Sequence, residues 1–114
     1  MSFFKTSYDI VGIGDITSDA FIRLKDTHVH AKLSRENREL CMTFGSKIPY
    51  EFVETVKAVG NSANAVVSAS RLGLKTAIVT DIGNDENGKD AINELKKNDV
   101  STHFVKKHKG IKTN

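Results

Sequence analysis

Apolar and polar positions follow two different rhythms along this chain. In the first half, apolar residues come in short alternating or continuous runs. Tyr8 to Gly14 reads as a buried strand that ends on glycine. Ala20 to Leu24, Val29 to Leu33, Leu40 to Phe44 and Phe52 to Val59 read as further strands. Polar turns at Ser34 to Glu39 and Gly45 to Pro49 separate them. From about Ile22 to Lys57 the pattern predicts a small antiparallel β element with no helical repeat. The second half changes period. Ser62 to Leu72 is spaced as a helix, with Gly73 as its C-terminal stop. Lys75 to Thr80 is rich in β-branched residues and predicts a strand. Asp85 to Asn98 predicts a second helix, capped by Asn84 or Asp85. Ala91, Ile92 and Leu95 supply its apolar face, and Lys96 and Lys97 suit its negative end. Thr102 to Lys106 reads as a short strand, His108 to Gly110 as a turn, and Ile111 to Asn114 as the start of another strand.

Strands that alternate with helices imply an α/β fold with a parallel sheet and right-handed crossovers. The β element then stands off one edge or end of that sheet. No internal repeat, low-complexity segment or flexible linker interrupts the order.

Composition agrees with a folded domain and narrows the setting. The 114 residues allow at most one ordinary domain. No apolar run is long enough to span a bilayer, and Met1 to Ser7 lacks the basic start and apolar core of a signal peptide. Cys41 is the only cysteine, so no intrachain disulfide can form. A lone thiol without an export signal points to a cytoplasmic location. Between Leu40 and Met42, that thiol reads as buried or packed within the β element. The net charge of +3 gathers late in the chain, at Lys96, Lys97, Lys106, Lys107, Lys109 and Lys112. Such a run is ordinarily a solvated face. Nucleic-acid binding would call for a denser patch with interleaved aromatics, and only Phe104 is near.

The chemistry concentrates where a strand gives way to a helix, at Val59-Gly60-Asn61-Ser62-Ala63-Asn64. Gly60 has no side chain to bar a ligand, and the first N–H groups of the helix have no partner within it. Asn61 and Asn64 add amides that both donate and accept hydrogen bonds. That set suits a polyhydroxylated ligand better than a metal or a hydride donor; the plainer role for both asparagines is helix capping. Gly12-x-Gly14 follows a strand but lacks the third glycine and the immediate helix of a dinucleotide fingerprint. No Walker-type Gly-Lys-Ser/Thr run is present. His28 and His30 share a strand face near Cys41, yet no fourth ligand completes a zinc site, and solvent-facing histidines are the better reading. Asp85 and Gly88 read as structural, a cap and a close packing contact.

Three segments in series carry a family resemblance: Gly12-Ile13-Gly14-Asp15-Ile16-Thr17-Ser18-Asp19, then Gly60 to Asn64 with its helix through Gly73, then Asp81-Ile82-Gly83-Asn84-Asp85-Glu86-Asn87-Gly88. Their order and spacing resemble the N-terminal third of the ribokinase-like (PfkB) carbohydrate kinases. The resemblance implies the start of a three-layer α/β/α, Rossmann-like domain, with the β element (about 22–57) as a lid that covers substrate and in some members forms a dimer interface. It implies transfer of the ATP γ-phosphoryl group, with Mg²⁺, to a hydroxymethyl group of a sugar or nucleoside. Asp19 matches the aspartate that binds substrate hydroxyls, and Gly60, Asn61 and Asn64 match the sugar-contacting motif. Thr17 stands where the family often has asparagine, and Val59 replaces the first glycine of the usual pair.

The family's catalytic aspartate lies in a Gly-Ala-Gly-Asp type motif that also forms an anion hole, and this sequence has none. The expectation is therefore the acceptor-binding part of a longer kinase, cut within a predicted strand at Lys112-Thr113-Asn114 and marginally stable or prone to aggregate alone. The rival reading is a non-catalytic sugar- or nucleoside-binding or dimerisation module. Partners are a small sugar or nucleoside and a second copy through the lid, with no nucleic acid and no membrane.

Overall fold

A computed structural model of the chain describes residues 7–25, 28–31 and 38–114. Its elements, in order, are β1 (Ile10–Ile13), β2 (Thr17–Leu24), β3 (His28–Ala31), β4 (Arg38–Cys41), β5 (Tyr50–Val59), α1 (Asn61–Arg71), β6 (Thr76–Gly83), α2 (Glu86–Lys97), β7 (Val100–Ser101) and β8 (Val105–His108). They divide into an α/β unit, Met1–Asp19 with Val56–Asn114, and a β unit, Ala20–Thr55.

The α/β unit is a parallel sheet covered by helices. β6 is its central strand. β1 pairs along one edge, from Ile10 opposite Thr76 to Ile13 opposite Val79. β7 and β8 pair along the other, Thr76 opposite Val100 and Gly83 opposite His108. All three pairings are parallel, which requires the helical crossovers that the alternating pattern predicts. α1 buries Ala63, Val66 and Ala69, and α2 buries Gly88, Ala91 and Leu95. Those spacings of three and four place each set on one helix face. The faces meet Ile78, Ile82 and Val100 from the sheet, together with Ile16 and Ala58.

Glycines set how closely α1 lies against β1. A side chain at Gly12 would sit 2.6 Å from Val66 Cγ1, and one at Gly14 would strike the Ser62 hydroxyl. That hydroxyl donates a 2.7 Å hydrogen bond to the Ile13 carbonyl. The Gly-x-Gly pair therefore serves strand–helix packing. Gly73 ends α1 in a left-handed conformation (φ +94°), as its C-terminal position demands. Ala58, near the end of β5, also has a positive φ of 56°.

The β unit holds an antiparallel pair, β3 with β4, His28 opposite Cys41 and Ala31 opposite Arg38. Most of β2 and β5, which also pair, belongs to it. An ion pair joins Arg23 to Glu51 at 3.0 Å. The Cys41 thiol is exposed, where the sequence reading places it buried or packed within the β element. A two-stranded pair has no second layer to cover its faces.

Several boundaries differ from the sequence reading: β2 opens at Thr17 rather than Ala20, β4 spans Arg38–Cys41 rather than Leu40 to Phe44, and β5 begins at Tyr50 rather than Phe52. β6 runs on through Asp81 to Gly83 because β8 pairs with it there. The late strand splits in two, β7 and β8, and takes in His108 rather than leaving it to a turn. Residues 111–114 are not a strand; side-chain and carbonyl bonds anchor them instead.

Candidate functional site

Gly60 is the hinge of the site. It precedes α1 with φ 108°, a conformation that suits glycine. A side chain there would lie 3.1 Å from the Asp15 carbonyl oxygen and 3.8 Å from Thr17 Oγ1. The entrance of α1 is thus pressed against the loop that leads from β1 into β2. Thr17 and Asp19 lie two apart on β2 and so project from the same side of the strand. Asp19 is exposed and accepts no hydrogen bond from the described residues.

Asn61 opens α1 and Asn64 follows within its first turn; both are exposed. Neither amide caps the helix. The N-cap is Gly60, with no side-chain bond to the first-turn N–H groups and no acidic residue in that turn. Among the described residues, neither the N–H groups of Asn61 to Ala63 nor the two amides have a hydrogen-bond partner. Asn64 also faces a separate groove of about 240 Å³, between the end of β5 (Val56 to Val59) and Arg71, Glu94 and Asn98. The structure brings Gly60 against Asp15 and Thr17, while Asn64 lines this separate groove.

A larger cavity, about 370 Å³, opens at the carboxyl ends of β1, β6 and β8. Crevices at that end of parallel strands are where α/β folds bind ligands. Asp15, Asp81, His108 and the 111–114 segment line it, and none of the four residues singled out from sequence does. The cavity and the α1 entrance share the loop of Asp15 to Thr17: Asp15 lines one and turns its carbonyl toward the other. His108 Nε2 lies 2.7 Å from Asp81 Oδ1. Sequence spacing gave no sign of this pair, because only the pairing of β6 with β8 brings the two residues together.

Asp85 is the cap of α2, as the capping pattern predicts. Its Oδ1 accepts the Gly88 N–H at 2.9 Å, and glycine is required at position 88 because a side chain there would strike the Gly83 carbonyl. The same carboxylate also holds Thr113, whose hydroxyl donates to Oδ1 at 2.6 Å and whose N–H donates to Oδ2 at 2.9 Å. The Thr113 hydroxyl, then its N–H, then that of Gly88 hold the Asp85 carboxyl below its ordinary pKa of 3.8. Further along α2, Asp90 lies 2.7 Å from Lys57, and that hydrogen bond raises the lysine above its ordinary 10.5.

Residues 32–114 match the pfkB family carbohydrate kinases. The chain belongs to this family. A ribokinase of Mus musculus is 52% identical over 46 residues, covering 40% of this chain and 14% of the mouse protein. Two solved structures show the same fold. The ribokinase of Arabidopsis thaliana, complexed with ribose and ATP, superposes with a TM-score of 0.73 at 19% identity, over 95% of this chain and 30% of that one. The nucleoside kinase of Methanocaldococcus jannaschii gives 0.67 at 14% identity, over 90% and 29%. The chain spans less than a third of these pfkB-family relatives. Among the described residues no cluster of three or more metal-binding side chains occurs, and no helix is long and apolar enough to cross a membrane.

Proposed function

We propose that this chain is the acceptor-binding part of an ATP-dependent carbohydrate or nucleoside kinase of the pfkB family. The observation that carries the reading is the apposition of Gly60 to the Asp15–Thr17 loop, which sets an uncapped helix entrance beside the strand that bears Asp19. The Asp19 carboxylate accepts hydrogen bonds from a pair of acceptor hydroxyls. Asn61 and Asn64 donate to and accept from the remaining hydroxyls, and Gly60 leaves room for the acceptor to approach the backbone. These residues bind and orient. ATP and Mg²⁺ enter through family membership alone: the described residues offer no cluster of metal-binding groups, and no step of the reaction is assigned to them.

Calorimetry with D-ribose, D-fructose and adenosine tests the assignment. One of the three binds to the wild-type chain, and Asp19→Ala weakens it by at least about tenfold, the loss expected for hydrogen bonds to a charged group. An unchanged affinity removes the site.

A second reading concerns the β unit. Phe21, Ile22, Tyr50 and Phe52 are each about half exposed in it. Tyr50 and Phe52 project from one face of β5, and apolar groups exposed side by side favour association, so a homodimer through this unit is proposed. A concentration-independent monomer in sedimentation equilibrium rules it out.

A further inference from the structure

Capping α2 needs only one of the bonds that Asp85 makes. The Gly88 N–H satisfies the cap, yet the carboxylate also takes both the hydroxyl and the N–H of Thr113. The Thr113 hydroxyl in turn accepts the Gly83 N–H at 2.9 Å. Thr113 is buried at 9% exposure, so each of these polar groups depends on the others to stay paired. Close packing leaves the segment no slack. A side chain at Gly83 would strike the Ile111 carbonyl, and one at Gly88 would lie 2.9 Å from Thr113 Oγ1. One residue further on, the Asn114 carbonyl accepts the Ser18 N–H at 3.1 Å. Ser18 sits between Thr17, which faces Gly60, and Asp19.

We propose that Asp85 is a positioning residue for the acceptor site: through Thr113 it fastens residues 111–114 against the opening of β2, and so fixes Asp19 for an acceptor's hydroxyls. The inference rests on the reading of Asp19 as the acceptor's ligand. Asp85 itself touches no acceptor. It limits the freedom that the β2 opening would otherwise lose on binding, and preorganisation of that kind appears as affinity.

Two substitutions separate the latch from the cap. Asp85→Ser keeps an oxygen for the Gly88 N–H, as serine does at helix N-caps, but is too short to span to Thr113. Thr113→Val removes the hydroxyl and leaves Asp85 intact. Amide hydrogen exchange by NMR on the 114-residue chain reads the outcome. The Ser18 N–H exchanges about tenfold faster in both variants, while Ile78 and Val79 in β6 keep their wild-type protection, as local rather than global opening requires. Affinity for whichever of D-ribose, D-fructose or adenosine binds the wild type falls about fivefold in both, the scale of one lost ordering contact. A general loss of stability would speed Ser18 and Ile78 together; that result overturns the proposal, as does a freed Ser18 with unchanged affinity. Should Asp85→Ser fail to fold, Thr113→Val answers the same question. If Asp19→Ala binds as tightly as wild type, the acceptor reading falls, and the exchange at Ser18 still decides whether the latch exists.

Discussion

Both units carry large apolar side chains, but among the described residues only the α/β unit buries any of them. Ile16, Val66, Ile78, Ile82, Leu95 and Val100 are at most 2% exposed, and all belong to that unit. In the β unit, Phe21, Phe44 and Tyr50 are 56%, 103% and 58% exposed. The difference follows from architecture. A helix laid on a sheet closes a core, whereas paired strands without a second layer leave at least one face in solvent. The residues assigned to the acceptor all lie in the unit that owns a core, so packing holds their backbone in place.

The sharpest way to break this comparison is to truncate one side chain in each unit. Leu95→Ala is expected to cost about 2–5 kcal/mol, because Leu95 is fully buried. Phe52→Ala, at a site 46% exposed, is expected to stay within about 0.5 kcal/mol. Urea titrations of both variants measure this, and equal losses would erase the distinction. Gly12→Val should rank next, at about 1–3 kcal/mol for overpacking against Val66; the same titration reads it, and a neutral result would mean that α1 can lift off β1.

Acid should act on the α/β unit through Asp85. Its folded pKa is depressed, so the unfolded chain takes up the proton first as pH falls. The contribution of Asp85 is full at neutral pH and is lost as pH drops below about 4, through the folded value. Melting temperature should fall over that range, and Asp85→Asn should flatten the fall. Lys57 gives the smallest effect and the opposite sign. Its pKa is raised by Asp90, so its contribution holds below 10.5 and fades as pH climbs through the folded value. The lysine side chain is 44% exposed, and solvent screens the pair. Lys57→Met should barely move the melting temperature at pH 8 in moderate salt.

The helices were legible because their signals are local. Gly73, Asp85 and the spacing of Ala91 and Leu95 each act within a turn or two of chain, and α1 and α2 fall within a residue or two of the expected ends. The parallel sheet followed from the alternation. What escaped the sequence reading depends on distant partners. Asp81 to Gly83 lie past the expected end of the strand at Thr80, and β8 draws them into it. Ile111 to Asn114 resemble a strand, yet Asp85 and Ser18 claim their polar groups one by one. Gly12 and Gly14 hint at a nucleotide loop, and only the position of Val66 and Ser62 shows why neither has a side chain. At the candidate site the residue types that could meet an acceptor's hydroxyls stand in the sequence itself. The entrance geometry at Gly60 does not, since it depends on the Asp15 carbonyl across the fold.

The left-handed Ala58 gives the chain a detent. Such a conformation inside a strand marks a bulge, and alanine tolerates it better than a bulkier neighbour. If β5 slid by one position, Lys57 or Val59 would have to take that backbone shape. Val59 is β-branched and fits it poorly, and Lys57 would be pulled away from Asp90. The bend therefore fixes where β5 ends and Gly60 begins.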